Sequence, residues 1–273
     1  MKVTALLENT TASPACRARH GLSLYVETAR HKILFDLGPD GTFADNAAHL
    51  GIDLRAVDTV ILSHGHRDHG GGLARFLAEN DTAKIYLRPA AADPHYIRVC
   101  GIPFSVAIDA SLVAGDRFVF TDDVTVIDEG LTVFSDVGHS SPLPASDRKL
   151  WRRQGGKLAP DDFGHEQSLL LTEGGKTTLF CGCSHAGIVN ITRRAEELAG
   201  GTVDTVIGGF HLYNPPTRRY ETAAYIDAVA QALAGGDSTF YTCHCTGRRA
   251  FRRMRSTLGD RLRYLATGDT LTL

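Results

Sequence analysis

The chain has no run of apolar residues long enough to span a bilayer, so a helical membrane protein is not expected. It has no excess of charge of either sign. Its 29 Lys and Arg stand against 31 Asp and Glu, a formal net charge of −2, and nothing in that balance calls for a nucleic acid or another polyanion as partner. A secretory leader is not expected either, because Met1-Lys2-Val3-Thr4-Ala5-Leu6-Leu7-Glu8 meets an acid before an apolar core can form. No internal repeat is visible. What these absences leave is a cytoplasmic protein of 273 residues, long enough to bury a substantial core and read as a single domain over 1–273. Its expected partner is a small-molecule substrate, and no oligomeric state can be assigned.

Against this plain background one segment is dense in chemistry: Ser63-His64-Gly65-His66-Arg67-Asp68-His69-Gly70-Gly71-Gly72. His64, His66, Asp68 and His69 give three imidazoles and a carboxylate, the donors that suit a borderline divalent ion such as zinc. The preceding run Val57-Asp58-Thr59-Val60-Ile61-Leu62 reads as a strand buried on both faces, so the donors are offered at a strand's C-terminal end. Gly65 relaxes the backbone between two histidines, and Gly70 to Gly72 allow a sharp exit into a helix marked by Leu73, Phe76 and Leu77. As a loop, the segment can aim His64 and His66 at one ion and Asp68 with His69 at a neighbour. The plainer alternative is a surface histidine cluster whose aspartate caps the next helix. The coincidence of strand, alternating histidines, aspartate and glycines favours the metal.

Cysteines fall at 16, 100, 181, 183, 243 and 245. A disulfide framework is not expected in a cytosolic chain of this size, and the two Cys-x-Cys pairs read as thiolate ligands or buried thiols. Early strands are expected at Lys2 to Leu7, Leu22 to Glu27 and Lys32 to Phe35, with a helix over Thr42 to Leu50. A β-rich middle comes next. Later strands are expected at Ser168 to Thr172 and Thr177 to Cys181 around the turn Glu173-Gly174-Gly175, and at Thr202 to Ile207 and Ser238 to Thr242. Helices fit Ile188 to Leu198, Tyr220 to Leu233 and Arg248 to Leu258, and this alternation points to layered α/β packing. Residues 139–164, rich in Pro, Ser, Gly and charge around the lone Trp151, are expected as a lid loop.

The His64–Gly72 segment resembles the first metal motif of the metallo-beta-lactamase superfamily. His165-Glu166-Gln167-Ser168-Leu169, Gly182-Cys183-Ser184-His185-Ala186-Gly187-Ile188, Gly208-Gly209-Phe210-His211-Leu212 and His244-Cys245-Thr246-Gly247 resemble a branch of it labelled dihydropterin-ribofuranosylaminobenzene-phosphate synthase-like. The likeness runs from Leu6-Leu7-Glu8-Asn9-Thr10 to the C-terminus. It implies a four-layered αββα sandwich, with Asp36-Leu37-Gly38 ending a core strand beside the site. By the resemblance His165 completes His64 and His66 at the first metal, and His244 joins Asp68 and His69 at the second. Cys183 stands where the superfamily commonly has a bridging aspartate. His185 is the rival donor there, as ligand, supporting group or substrate contact, and His211 is a branch-specific residue that orients substrate or acts as an acid. Arg19-His20-Gly21-Leu22-Ser23 departs from the branch, which tends to carry an acid before His-Gly-Leu-Ser.

Two divalent ions are therefore expected, zinc first because a thiolate is among the ligands, with iron or manganese as alternatives. Such a centre hydrolyses esters, amides or phosphoesters through a metal-bridging hydroxide, with Asp68 able both to ligate and to hydrogen-bond the hydroxide. Thr246 and Gly247 open a helix whose amides, with Arg248 alongside, suit a phosphate-bearing substrate. The competing expectations are a pterin-linked synthase that forms a C–N bond to a ribosyl-aminobenzene phosphate, and a metal-binding sensor without turnover.

Overall fold

The computed structural model describes residues 1–215 and 217–273. By their contacts these fall into two compact units, each drawing on separated stretches of chain. Unit 1 comprises 1–122, 148–167 and 266–273; unit 2 comprises 123–147 and 168–265.

Unit 1 is built on a seven-stranded sheet in the order Thr270–Thr272, Lys2–Leu7, Ser23–Glu27, Lys32–Phe35, Thr59–Ile61, Lys84–Leu87, Phe118–Phe120. The first four pair antiparallel and the last four parallel. Leu34, Val60 and Ile85 on neighbouring strands pack with Phe43 of the helix Thr42–His49 and Phe76 of the helix Leu73–Glu79, all buried. Unit 1 also holds a four-stranded antiparallel sheet, Lys157–Pro160, Leu150–Gln154, His95–Val99, Ile102–Ser105.

Unit 2 repeats the plan. Its sheet runs Leu262–Tyr264, Thr239–Thr242, Thr205–Gly208, Lys176–Cys181, Ser168–Glu173, Leu131–Phe134, Val124–Asp128. The first four are parallel and the rest antiparallel. The helices Ile188–Ala199, Ala223–Ala234 and Arg248–Leu258 bury Ile191, Val229 and Met254 in a core with Val206 and Phe240. At the expected hairpin, Gly174 and Gly175 both take positive φ, 58° and 76°, the backbone a two-residue turn of the type I′ kind demands. Among the described residues no helix is long and apolar enough to cross a membrane.

Two expectations change. Residues 139–164 are not one loop. Ser141 N–H bonds Asn190 Oδ1 and Tyr225 Oη donates to the Pro142 carbonyl, both within unit 2, while Leu150–Gln154 and Lys157–Pro160 form a hairpin in the small sheet of unit 1. Nor is the metal motif a loop throughout. Arg67–Gly70 is a helical turn, closed by amides of His69 and Gly70 on the His66 carbonyl. Its glycines serve close approach rather than unusual φ: a Cβ at Gly65 would meet the Ala91 carbonyl, and one at Gly71 the Pro39 carbonyl.

Candidate metal centre

In unit 1 the parallel strands Lys32–Phe35 and Thr59–Ile61 end in register, Phe35 beside Ile61, and the segments beyond the two strands meet at that edge. Asp36, in the left-handed region at φ 62°, turns a fully buried carboxylate onto the metal motif. It accepts the Ser63 N–H and Ser63 hydroxyl, both at 2.7 Å, and lies 2.6 Å from His69 Nδ1. A carboxylate can only accept, so Nδ1 of His69 carries the proton and the lone pair sits on Nε2, the arrangement of a metal-ligating imidazole. His64 Nδ1 lies 2.9 Å from Ser63 Oγ, and its ring centroid is 4.1 Å from that of His69 and 4.5 Å from that of His66. The Asp68 carboxylate lies 3.7 Å from His69 Nε2 and 3.1 Å from Nε2 of His20, the histidine of the segment that departs from the branch pattern.

His165 lies beside His66, one of its two expected partners, their ring centroids 5.1 Å apart. Its ring is 5.8 Å from that of His64, and it sits with His66, His95 and Asp161, whose ligand atoms all lie within 4.8 Å of one another. Its Nδ1 accepts the Gly65 N–H at 3.0 Å, and its Nε2 is 3.3 Å from Asp161 Oδ2. His165 thus holds the backbone between His64 and His66, and ligating a metal requires one of these bonds to open. Asp161 Oδ2 also lies 3.0 Å from His95 Nδ1, while His95 Nε2 donates to the Ala90 carbonyl. Burial pushes the Asp161 carboxyl up, but the bonds from His165 and His95 outweigh it and hold the group well below the usual carboxylate range. Sequence reasoning missed His95 and Asp161. The pairing of strand Leu150–Gln154 with His95–Val99 brings them together, and no local motif announces it.

In unit 2 three neighbouring parallel strands, Lys176–Cys181, Thr205–Gly208 and Thr239–Thr242, end level, with Cys181 opposite Gly208 and Gly208 opposite Thr242. The segments beyond them carry Cys183 with His185, His211, and His244, all buried. Ser184, His211 and His244 take positive φ (64°, 47° and 49°), a strain of about 1–3 kcal/mol each that a packed surround must hold. Cys183, His211 and Cys245 bring ligand atoms within 4.8 Å of one another, and the His211 N–H donates to Cys245 Sγ. Burial pushes the Cys245 thiol up, yet the Cys183 thiol and the neighbouring His244 outweigh it and pull it well below its usual value.

Asp147, which sequence reasoning placed in the lid, is a buried member of this cluster. Its Oδ1 lies 2.8 Å from His185 Nδ1 and 3.1 Å from His211 Nε2. Burial raises its pKa, but the charges of the two imidazoles overcome that and bring it to about 2. Burial likewise lowers the pKa of His211, and the Asp147 charge reverses this and lifts it well above the usual histidine value.

The residues from which a phosphate contact is expected, 246–248, have partners within the fold: the Thr246 N–H donates to the Cys243 carbonyl and the Gly247 N–H to the His244 carbonyl. Thr246 Oγ1 accepts the Phe210 N–H, a Cβ at Gly247 would crowd Tyr213 and Tyr220, and the Arg248 guanidinium lies 4.2 Å over the Tyr264 ring. Four arginines gather around a cavity of about 530 Å³ lined by Arg218, Arg219, Tyr220, Glu221, Arg249 and Arg253, with Arg253 paired to Asp227.

The donors in both units fit a divalent metal: buried imidazoles whose Nδ1 protons are committed to buried carboxylates, with thiols and a carboxylate beside them. Residues 16–207 match the family model described as the metallo-beta-lactamase superfamily. Over 252 residues, 85% of this chain and 83% of its own, the 7,8-dihydropterin-6-methyl-4-(beta-D-ribofuranosyl)-aminobenzene-5'-phosphate synthase of Methanocaldococcus jannaschii is 26% identical. An uncharacterized protein of the same organism is also 26% identical, over 91% of this chain and 92% of its own. Among solved structures, one described as a metal-dependent hydrolase of the beta-lactamase superfamily is similar with a TM-score of 0.86 and 26% identity, covering 100% of this chain and 99% of that one.

Proposed function

The chain belongs to the metallo-beta-lactamase superfamily, with the sandwich fold of that family, and from that premise we propose that it is a dinuclear metal-dependent hydrolase of a small anionic ester. The proposed ligands are His64, His66, Asp68, His69 and His165 in unit 1, and Cys183 and His244 in unit 2. The observation that carries the reading is the buried Asp36–His69 bond. It puts the imidazole lone pair on Nε2, 3.7 Å from the Asp68 carboxylate, and two such acceptors side by side are reconciled by a shared cation. Two divalent ions, zinc first, supply when bound a water of lowered pKa and a polarised substrate oxygen. The chain's own groups do the rest. Asp68 orients the attacking water by accepting its proton. His211, kept cationic by Asp147, supports a leaving oxygen or an anionic substrate group. The arginine-lined cavity of unit 2 favours a substrate that carries phosphate or carboxylate.

Elemental analysis and a substrate panel test this together. Purified protein should hold about two metal ions per chain. It should hydrolyse at least one of a set of phosphodiesters, thioesters, lactones and β-lactams, and Asp68→Ala should abolish that turnover. A stable protein without metal, or turnover indifferent to Asp68→Ala, sinks the reading. The synthase named among the relatives supports a second one, C–N bond formation between a pterin and a ribosyl-aminobenzene phosphate. Product formation from those two substrates by a protein inert across the panel would establish it.

A further inference from the structure

We infer that Asp147 is a positioning residue that fixes the tautomer of His185 and so makes His185 a metal ligand through Nε2. The inference rests on the metal-centre reading above and adds to it a ligand and its support, both within unit 2.

Asp147 is held before it does anything to a histidine. It lies in the 3-10 turn Ala145–Lys149, and the preceding residue, Ser146, donates its N–H to Glu221 Oε1 at 2.8 Å. Upstream, the Pro142 carbonyl accepts from Tyr225 Oη. These bonds seat the turn on the helix Ala223–Ala234 and the residues that lead into it, and they aim the carboxylate inward, 8% exposed. Its Oδ1 meets His185 Nδ1 at 2.8 Å and His211 Nε2 at 3.1 Å, the two rings 4.3 Å apart between centroids. His211 thus flanks the same oxygen from a second side.

The carboxylate accepts and cannot donate, so His185 Nδ1 carries a proton, and Nε2 is the nitrogen left to face a metal. Unit 1 contains the same device in Asp36 and His69, where the bond is 2.6 Å and both partners are fully buried. A second observation says what His185 faces: its ligand nitrogen and the thiol of Cys183, two residues earlier, lie within 4.8 Å of each other. Between them Ser184 takes φ 64°, a left-handed backbone conformation. His185 is thus a ligand alongside Cys183 rather than in its place. The turn at Ala145–Lys149 thereby bears on metal affinity without touching the metal.

Cobalt(II) titration of the metal-free full chain tests this, read by dissociation constant and by the visible d–d bands, with circular dichroism to certify folding. Asp147→Ala should weaken cobalt binding about 10–100-fold. Asp147→Asn, which can still accept the Nδ1 proton but carries no charge, should fall between that variant and the wild type and shift the bands. His185→Gln should shift them further. The nitrogen-15 spectrum should show a protonated Nδ1 at His185 that Asp147→Ala loses. If Asp147→Ala fails to fold, Asp147→Asn and His185→Gln decide. Wild-type cobalt affinity and unchanged bands in those variants would overturn the inference. None of these readouts uses turnover, so cobalt binding that depends on Asp147 in a protein that hydrolyses nothing would sink the hydrolase reading alone.

Discussion

Replacing Asp36 by asparagine removes one charge at the base of the metal motif and little else. Position 36 has φ 62°, a conformation asparagine adopts more readily than most residues, so the backbone should tolerate the change. The wild-type carboxylate accepts three bonds inside a fully buried site, from Ser63 N–H, Ser63 Oγ and His69 Nδ1. Asparagine can keep the first through its carbonyl oxygen, but its amide must then face Ser63 Oγ and His69 Nδ1. Ser63 can rotate to accept. His69 can accept only by moving its proton to Nε2, which removes the lone pair a metal needs, or it leaves two donors opposed. One such buried mismatch costs about 1–3 kcal/mol, and loss of the supporting carboxylate lowers metal affinity about 10–100-fold. Urea unfolding of the metal-free protein reads the first number and competition with a chromophoric chelator the second. Asp36→Asn protein within about 0.5 kcal/mol of wild type, and within about twofold in metal affinity, would refute the tautomer reasoning.

In metal-free protein, Asp147 has its pKa depressed to about 2, so its contribution is complete above the ordinary carboxylate value and is lost as pH falls from about 4 towards 2. That contribution is about 2 kcal/mol, and acid titration of stability should be correspondingly flatter in Asp147→Asn. Gly65→Ala should displace the metal motif, because the new methyl meets the Ala91 carbonyl; a loss of about 1–3 kcal/mol with weakened metal binding is expected, and unchanged calorimetry and metal content would contradict it. Arg249→Glu, on the cavity of unit 2, should raise KM for an anionic substrate while leaving kcat near its starting value, and the effect should shrink as salt is added.

Most regular elements were legible because their signals are local. Gly174-Gly175 between two apolar runs is a hairpin in any context, and the helix Arg248–Leu258 is found where its periodicity puts it. The motif from His64 to His69 was legible for the same reason: its donors are contiguous. His95, Asp161 and Asp147 were not. Each is one polar residue with no motif around it, and each enters the site only because a distant partner closes on it: the small sheet for His95 and Asp161, Glu221 for the turn that carries Asp147. Thr246 and Gly247 show the complementary case. Their composition suits an anion, yet the Phe210 amide takes the Thr246 hydroxyl, and two tyrosines fill the space beside Gly247.

The antiparallel pairing of Thr270–Thr272 with Lys2–Leu7 bears on how the protein is made. Thr4 and Thr270, bonded through their hydroxyls, are 266 residues apart. During synthesis the strand Lys2–Leu7 is made well before its partner, and the backbone N–H and C=O groups along that edge wait unpaired while the residues between them are translated. At about 5–20 residues per second that wait lasts from about ten seconds to nearly a minute. A purification tag that disturbs residues 270–272 should lower soluble yield far more than one placed on an internal loop.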